Sequence, residues 1–135
     1  MSPETAALVG LVIVSHSVGI AEGTTELARQ MAGPDVRIVP AGGMADGSIG
    51  TDAARIAEAI GAADGGAGVV VLADLGSAIL ATRTALELLG GPGRVLLSRG
   101  PIVEGAVIAA VQASTGSSVD EVLQAAESAA SLPKG

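Results

Sequence analysis

The chain has 135 residues, with seven Lys and Arg against fourteen Asp and Glu, one His, no Cys and no Phe, Tyr or Trp. That length suits one domain able to enclose a core without disulfides, and the absence of Cys removes any disulfide framework, thiolate metal site or thiol nucleophile. A net charge of −7, with no basic block and no ring for bases to stack on, argues against nucleic acid and anionic membranes and leaves small molecules and other proteins as partners.

Residues 1 to 7 read as a flexible leader, 8 to 130 as a single domain and 131 to 135 as a flexible tail. The first apolar run, residues 6 to 14, follows Ser-Pro-Glu-Thr and lacks a positively charged leader, so it does not read as a secretory signal. No stretch approaches the roughly 20 apolar residues needed to cross a bilayer, and a cytoplasmic location is the expectation. The one lysine, Lys134, falls in the tail, which excludes a Walker-type phosphate loop or a catalytic lysine in the body.

Between the ends, short apolar runs alternate with segments of helical period. Leu8 to Ser15 reads as a strand, Ile20 to Met31 as a helix, Val36 to Val39 as a second strand and Thr51 to Ala63 as a helix. Val69 to Ala73 is a third strand, Ser77 to Leu89 a helix, Arg94 to Leu97 a fourth strand, and Ile102 to Ala113 and Val119 to Ala130 the last helices. Strands alternating with helices of this length imply parallel crossovers and an α/β sheet covered on both faces, with a core of Val, Ile, Leu and Ala. Ser17, Thr51, Ser77 and Ser118 are the expected N-caps, the last in a capping box with Glu121. Pro101 suits a first helical turn, and Gly33-Pro34 and Gly90-Gly91-Pro92 suit helix stops.

In an open parallel sheet, ligands gather at the carboxyl ends of the strands, where the strand order reverses. Ser15-His16-Ser17, the loop 41–52, Asp74 to Ser77 and Ser98-Arg99-Gly100 all fall there. If the first strand lies between the second and third, Asp74 emerges beside His16. A lone histidine is most often structural. At this rim, however, an acceptor such as Asp74 on one ring nitrogen would hold one tautomer and present the other nitrogen as a nucleophile.

One His without Cys is poor material for a metal site. A triad of Ser77, His16 and Asp74 lacks a G-x-S-x-G elbow, and Asp74 is not expected to orient His16 while adjoining the nucleophile. Phosphorylation of Asp74, as in a receiver domain, would need an acidic cluster and a lysine that the body lacks. A phosphoryl group on His16 fits better, because a neutral imidazole, with a reference pKa of about 6.5, is a nucleophile near neutral pH. Helix N-termini near Ser17, Thr51 and Ser77, flexible backbone at Gly42, Gly43 and Gly76, and the hydroxyls of Ser15, Ser17 and Ser77 are candidate phosphate contacts.

Four segments carry a resemblance in this order: VIVSHS at 12–17 followed by IAEG, GGMADGSIGT at 42–51, DLGSA at 74–78 and PIVEGA at 101–106. From Leu8 to about Ala130 the chain resembles the mannose-type enzyme IIA family, and within it the phosphotransferase subunits of dihydroxyacetone kinases. The resemblance implies an open, mostly parallel four-stranded sheet of order 2-1-3-4 with helices on both faces. It also implies that His16 is phosphorylated by the carrier HPr and passes the group to ADP on a nucleotide-binding subunit. ATP regenerated there would then phosphorylate dihydroxyacetone on a third subunit. Asp74 would orient or stabilise the imidazole, with no metal or organic cofactor in this subunit and ADP/ATP held on the partner. A homodimer is implied too, with contacts placed on the third and fourth helices. Arg99 and Met44 stand in site loops where the resemblance leads one to expect smaller or polar residues. An enzyme IIA feeding a mannose-type sugar transporter is the alternative within the same chemistry, and a non-catalytic interaction module the alternative outside it.

Overall fold

The computed structural model describes residues 7–135, so most of the leader lies outside the described residues. The elements are β1 (Gly10–Ser15), α1 (Val18–Ala32), β2 (Ile38–Gly42), α2 (Ala53–Ala63), β3 (Val69–Ala73), α3 (Gly76–Leu88), β4 (Val95–Leu97), α4 (Ile102–Ser114) and α5 (Val119–Ser128), followed by a 3₁₀ turn at Ala129–Ser131. The sheet has the order β2-β1-β3-β4, and each of its three pairings is parallel. β1 is therefore flanked on both sides, and the chain reverses direction across the sheet between β2 and β3.

Side chains alternate across β1 and β3 and divide the core into two layers. Leu11, Ile13, Val70 and Leu72 pack with Ile38 against α1, α4 and α5, which contribute Ala28, Ala106, Ala109, Ala110, Ala113, Val122 and Ala126. Val12, Val14, Val69 and Val71 face the other way, onto Ile56, Ile60 and Ala63 of α2 and Ala78, Ala85 and Leu86 of α3. With no aromatic ring to fill space, the helices meet the sheet through alanine, whose small side chain permits close approach to the β-branched strands. α3 and α4 cover opposite faces of the sheet.

Three sequence expectations shift for local reasons. β2 runs Ile38–Gly42 rather than 36–39, because its register pairs Leu11 with Ile38 and Ser15 with Gly42; Val36 is buried ahead of the strand. Pro40 is tolerated because β2 is an edge. The cap of α2 is Asp52 and not Thr51: its Oδ1 accepts from the backbone N–H of Ala54 at 2.9 Å and of Arg55 at 3.4 Å. α3 starts at Gly76, so Ser77 lies inside its first turn and Leu75 occupies the cap position without a side-chain hydrogen bond. The caps at Ser17 and Ser118 are formed, the latter as a capping box with Glu121, and Pro101 stands at the N-cap of α4. The tail is exposed, with Lys134 Nζ 3.0 Å from a carboxylate oxygen of Glu104. Among the described residues no helix is long and apolar enough to cross a membrane.

Where β1 begins, Gly10 lies against the backbone of Ala63 at the end of α2, and a Cβ there would run into the Ala63 carbonyl. Gly10→Ala is expected to destabilise the fold by about 2 kcal/mol, the usual cost of overpacking a rigid contact. A urea midpoint equal to that of the wild type would contradict this.

Candidate active site

His16 is the first residue after β1, and the parallel ladder decides what stands next to it. Asp74 N–H donates to Val14 O at 3.2 Å, continuing the β1–β3 ladder one step past β3, and Gly43 N–H donates to Ser15 O at 3.1 Å on the β2 side. The ends of β2 and β3 thus converge on His16 from either side.

The Asp74 carboxylate accepts from several donors. Oδ2 takes the Ser15 hydroxyl at 2.8 Å and the His16 backbone N–H at 3.0 Å. Oδ1 takes the Leu75 N–H at 2.8 Å and lies 3.0 Å from His16 Nδ1. Burial pushes the Asp74 pKa up, but the hydrogen bonds from the His16 backbone, the His16 ring and Ser15 outweigh it and hold it below the ordinary carboxylate range. The ionised carboxylate fixes the proton on Nδ1, which leaves the Nε2 lone pair facing the Ser77 hydroxyl at 2.7 Å. The His16 side chain keeps 20% of its surface exposed, against 13% for Asp74, so the nucleophilic edge is open while the orienting group sits behind it.

The six expected phosphate contacts divide into two sets. Ser77 and Gly76 stand at the exposed edge, and the space around the Gly76 Cα is open. The other four frame the site. Ser15 is fully buried and its hydroxyl is given to Asp74, while its oxygen also accepts from Ser17 N–H at 3.0 Å. The Ser17 hydroxyl caps α1 by accepting from Ile20 N–H at 3.3 Å. Gly42 lets β2 close on the first turn of α1, where a Cβ would lie 2.7 Å from the Ser17 carbonyl. Gly43 uses its N–H on Ser15 and adopts φ +69°, opening the following loop. That loop is tied back to the site by Gly50 N–H, which donates to His16 O at 3.0 Å. Met44 is half-buried behind Gly50, whereas Arg99 is exposed.

The Asp74–His16–Ser77 line does have the geometry of a hydrolase relay. The expectation that Asp74 could not orient His16 while lying close to Ser77 is corrected: the β3–α3 turn brings both within reach of opposite ring nitrogens. Two features carry no motif in the sequence. One is the Leu75 N–H on Asp74. The other is the apolar rim of Ile20, Ile49 and Leu75, with exposures of 47%, 75% and 60%. Their signal was apolar residues interrupting polar loops. A larger groove, about 320 Å³, runs along β2 and α2 between Val39 and Ala62 and includes none of the site residues.

A parallel sheet of this order is consistent with the fold of a mannose-type enzyme IIA domain, and the family model described as "PTS system fructose IIA component" matches residues 10–123. The chain is 45% identical over 121 residues to the "PEP-dependent dihydroxyacetone kinase, phosphoryl donor subunit DhaM" of Escherichia coli K12, covering 86% of this chain and 26% of that protein. It is 40% identical over 119 residues to the "PEP-dependent dihydroxyacetone kinase 2, phosphoryl donor subunit DhaM" of Listeria innocua, covering 87% of this chain and 95% of that one. The chain therefore spans about a quarter of the enterobacterial relative and nearly all of the Listeria one. It belongs to the DhaM branch of the mannose-type enzyme IIA family. A crystal structure of a protein of unknown function superposes with a TM-score of 0.79 at 33% identity, covering 89% of this chain and 93% of that one.

The lowered pKa of Asp74 has a defined consequence for stability. Because the folded state holds the carboxylate more strongly ionised than the unfolded chain, its contribution is complete above the unfolded value of 3.8 and is lost as pH falls through the lower folded value. Asp74→Asn is expected to be less stable than the wild type at pH 6 to 7, with the gap closing below about pH 3.8. Urea unfolding of both proteins across that range measures it, and a gap independent of pH would refute it.

Proposed function

We propose that this chain is the phosphoryl donor subunit of a phosphoenolpyruvate-dependent dihydroxyacetone kinase. In this reading His16 accepts a phosphoryl group from the phosphohistidine of HPr and passes it to ADP on the nucleotide-binding subunit, supporting dihydroxyacetone phosphorylation. The observation that carries it is the pair of contacts on one ring, Nδ1 on Asp74 at 3.0 Å and Nε2 exposed toward Ser77 at 2.7 Å. The names of the relatives, phosphoryl donor subunits of dihydroxyacetone kinases, support the donor role.

The Nε2 lone pair attacks phosphorus as the donor's P–N bond breaks, and the bonding electrons return to the donor ring. That ring, protonated on its other nitrogen, ends as neutral imidazole. His16 keeps its Nδ1 proton and becomes a cationic phosphoimidazole, whose charge the adjacent Asp74 carboxylate offsets. The Ser77 hydroxyl turns from the lone pair to a phosphoryl oxygen, and the first N–H groups of α3 face the same anion. In the second step a β-phosphate oxygen of ADP forms the new P–O bond, the P–N electrons return to Nε2, and the ring is neutral again. The two steps call for no resident metal or organic cofactor in this chain, and they carry a cytoplasmic location with them.

The description of the matching family model as a fructose IIA component favours a second reading, in which the acceptor is a sugar-transport subunit. One experiment tests both. The protein is incubated with phosphoenolpyruvate, enzyme I and HPr, and the labelled product is chased with the ADP-loaded kinase subunit or with a sugar-transport subunit. Acid-labile phosphate on Nε2 of His16, discharged to ADP, is expected. Discharge only to the transport subunit would replace the first reading with the second, and no label on a folded wild type would overturn both. His16→Ala should abolish labelling while unfolding as cooperatively as the wild type. Asp74→Ala should slow transfer on the order of 10²-fold, the range typical for the loss of one pre-organised group that stabilises developing charge.

The same reading includes a homodimer. Its contact is placed on the third and fourth helices: Leu80 and Leu88 of α3 are 62% and 63% exposed, and Val103 and Val111 of α4 39% and 41%. Sedimentation of Leu80→Glu/Leu88→Glu as a monomer, against a wild-type dimer, is the expected result; a wild-type monomer would remove the dimer from the proposal.

A further inference from the structure

Next to the histidine, between the ends of β3 and β4, lies a cleft of about 240 Å³. One wall is the turn from Ala73 to Gly76, which includes Asp74; the other is Ser98-Arg99-Gly100. Arg99 is the only cationic residue in this wall.

The backbone that carries Arg99 is fixed from three directions. Ser98 N–H extends the ladder by donating to Val71 O at 2.8 Å, and the buried Ser98 hydroxyl accepts from Gly100 N–H at 3.0 Å. The Arg99 N–H itself donates to a carboxylate oxygen of Glu127 on α5 at 3.0 Å. Gly100 is pressed against the Ala126 backbone so closely that no Cβ would fit. Yet the Arg99 side chain, held on this rigid turn, is exposed and makes no hydrogen bond or ion pair with any described residue. Glu127, the nearest acid by contact, spends its carboxylate on the backbone N–H. Arg99, whose guanidinium has no hydrogen-bond or ion-pair partner among the described residues, lines a cleft whose opposite wall holds the carboxylate that orients His16. A guanidinium is matched in shape and charge to phosphate oxygens, and elsewhere this strongly acidic chain would repel them.

We infer that Arg99 is a phosphate-contacting residue of the transfer site, its guanidinium binding a phosphate oxygen in the β3–β4 cleft. The inference rests on the proposed phosphotransfer. The phosphate has two sources, the phosphoryl group on His16 and the terminal phosphate of the nucleoside diphosphate that receives it, and the two have different kinetic signatures.

Arg99→Ala and Arg99→Lys are compared with the wild type in three measurements: loading of His16 from phospho-HPr, lifetime of the phosphohistidine without acceptor, and discharge at increasing concentrations of ADP-loaded kinase subunit. Both variants should match the wild type in urea midpoint, since the side chain is exposed and makes no hydrogen bond or ion pair with a described residue. If the contact is to the acceptor, Arg99→Ala raises the acceptor concentration for half-maximal discharge by about tenfold or more, leaves loading and lifetime unchanged, and Arg99→Lys recovers part of the loss. If the contact is to the phosphoryl group, loading slows and the lifetime shortens as well. Wild-type values in all three for Arg99→Ala would overturn the inference. Should the wild type take no phosphate from HPr, it is the proposed function that has failed. The inference is then decided by titrating the wild type with inorganic phosphate while following the Arg99 Nε–H resonance: a saturable shift upholds it, and no shift overturns it.

Discussion

The site depends on one carboxylate. Asp74 accepts from the Ser15 hydroxyl, the His16 N–H, the Leu75 N–H and the His16 ring, so the same anion sets the position of the histidine backbone, the direction of its ring and the nitrogen that carries the proton. The donors outweigh the desolvation of this part-buried carboxylate and hold its pKa below the ordinary range. Its own position follows from the ladder, in which Asp74 N–H answers Val14 O one residue before Ser15. Sheet register and ring tautomer are therefore one fact seen at two scales.

The sheet can be this exact because its core is stiff and small-grained. The branched side chains of β1 and β3 alternate between two alanine-lined helical layers, and at Gly10, Gly42 and Gly100 the backbone comes so near its neighbour that a methyl group would not fit. Each of these contacts holds a strand or turn that ends in the site. Gly42 seats the end of β2 against α1, and Gly100 seats the Arg99 turn against α5.

Much of this was legible in the amino-acid order. The βα alternation and the apolar runs imply parallel strands, and the motifs around His16 and DLGSA fix the family and with it the strand order. The pairing of His16 with Asp74 required only that β1 lie between β2 and β3. What was not legible is which polar groups are spent on the frame. Ser15 and Ser77 are the same residue type near the same histidine, yet one is fully buried and bonded to the carboxylate while the other is exposed on Nε2. Only the three-dimensional end of β1 separates them. Helix starts were displaced for a related reason: Asp52 outcompetes Thr51 as a cap because its carboxylate reaches two N–H groups at once, and Ser77, drawn to the ring, gives up the cap of α3.

The Gly50 N–H that holds the His16 carbonyl and the Asp74 oxygen that holds the His16 N–H clamp the peptide units on both sides of the residue that bears the ring. A charge arriving on the imidazole meets dipoles already in place, with no main-chain adjustment to make and little reorganisation energy to dissipate. In the proposed transfer such a mounting would lower the barrier to loading and to discharge alike, because the same fixed dipoles serve both steps.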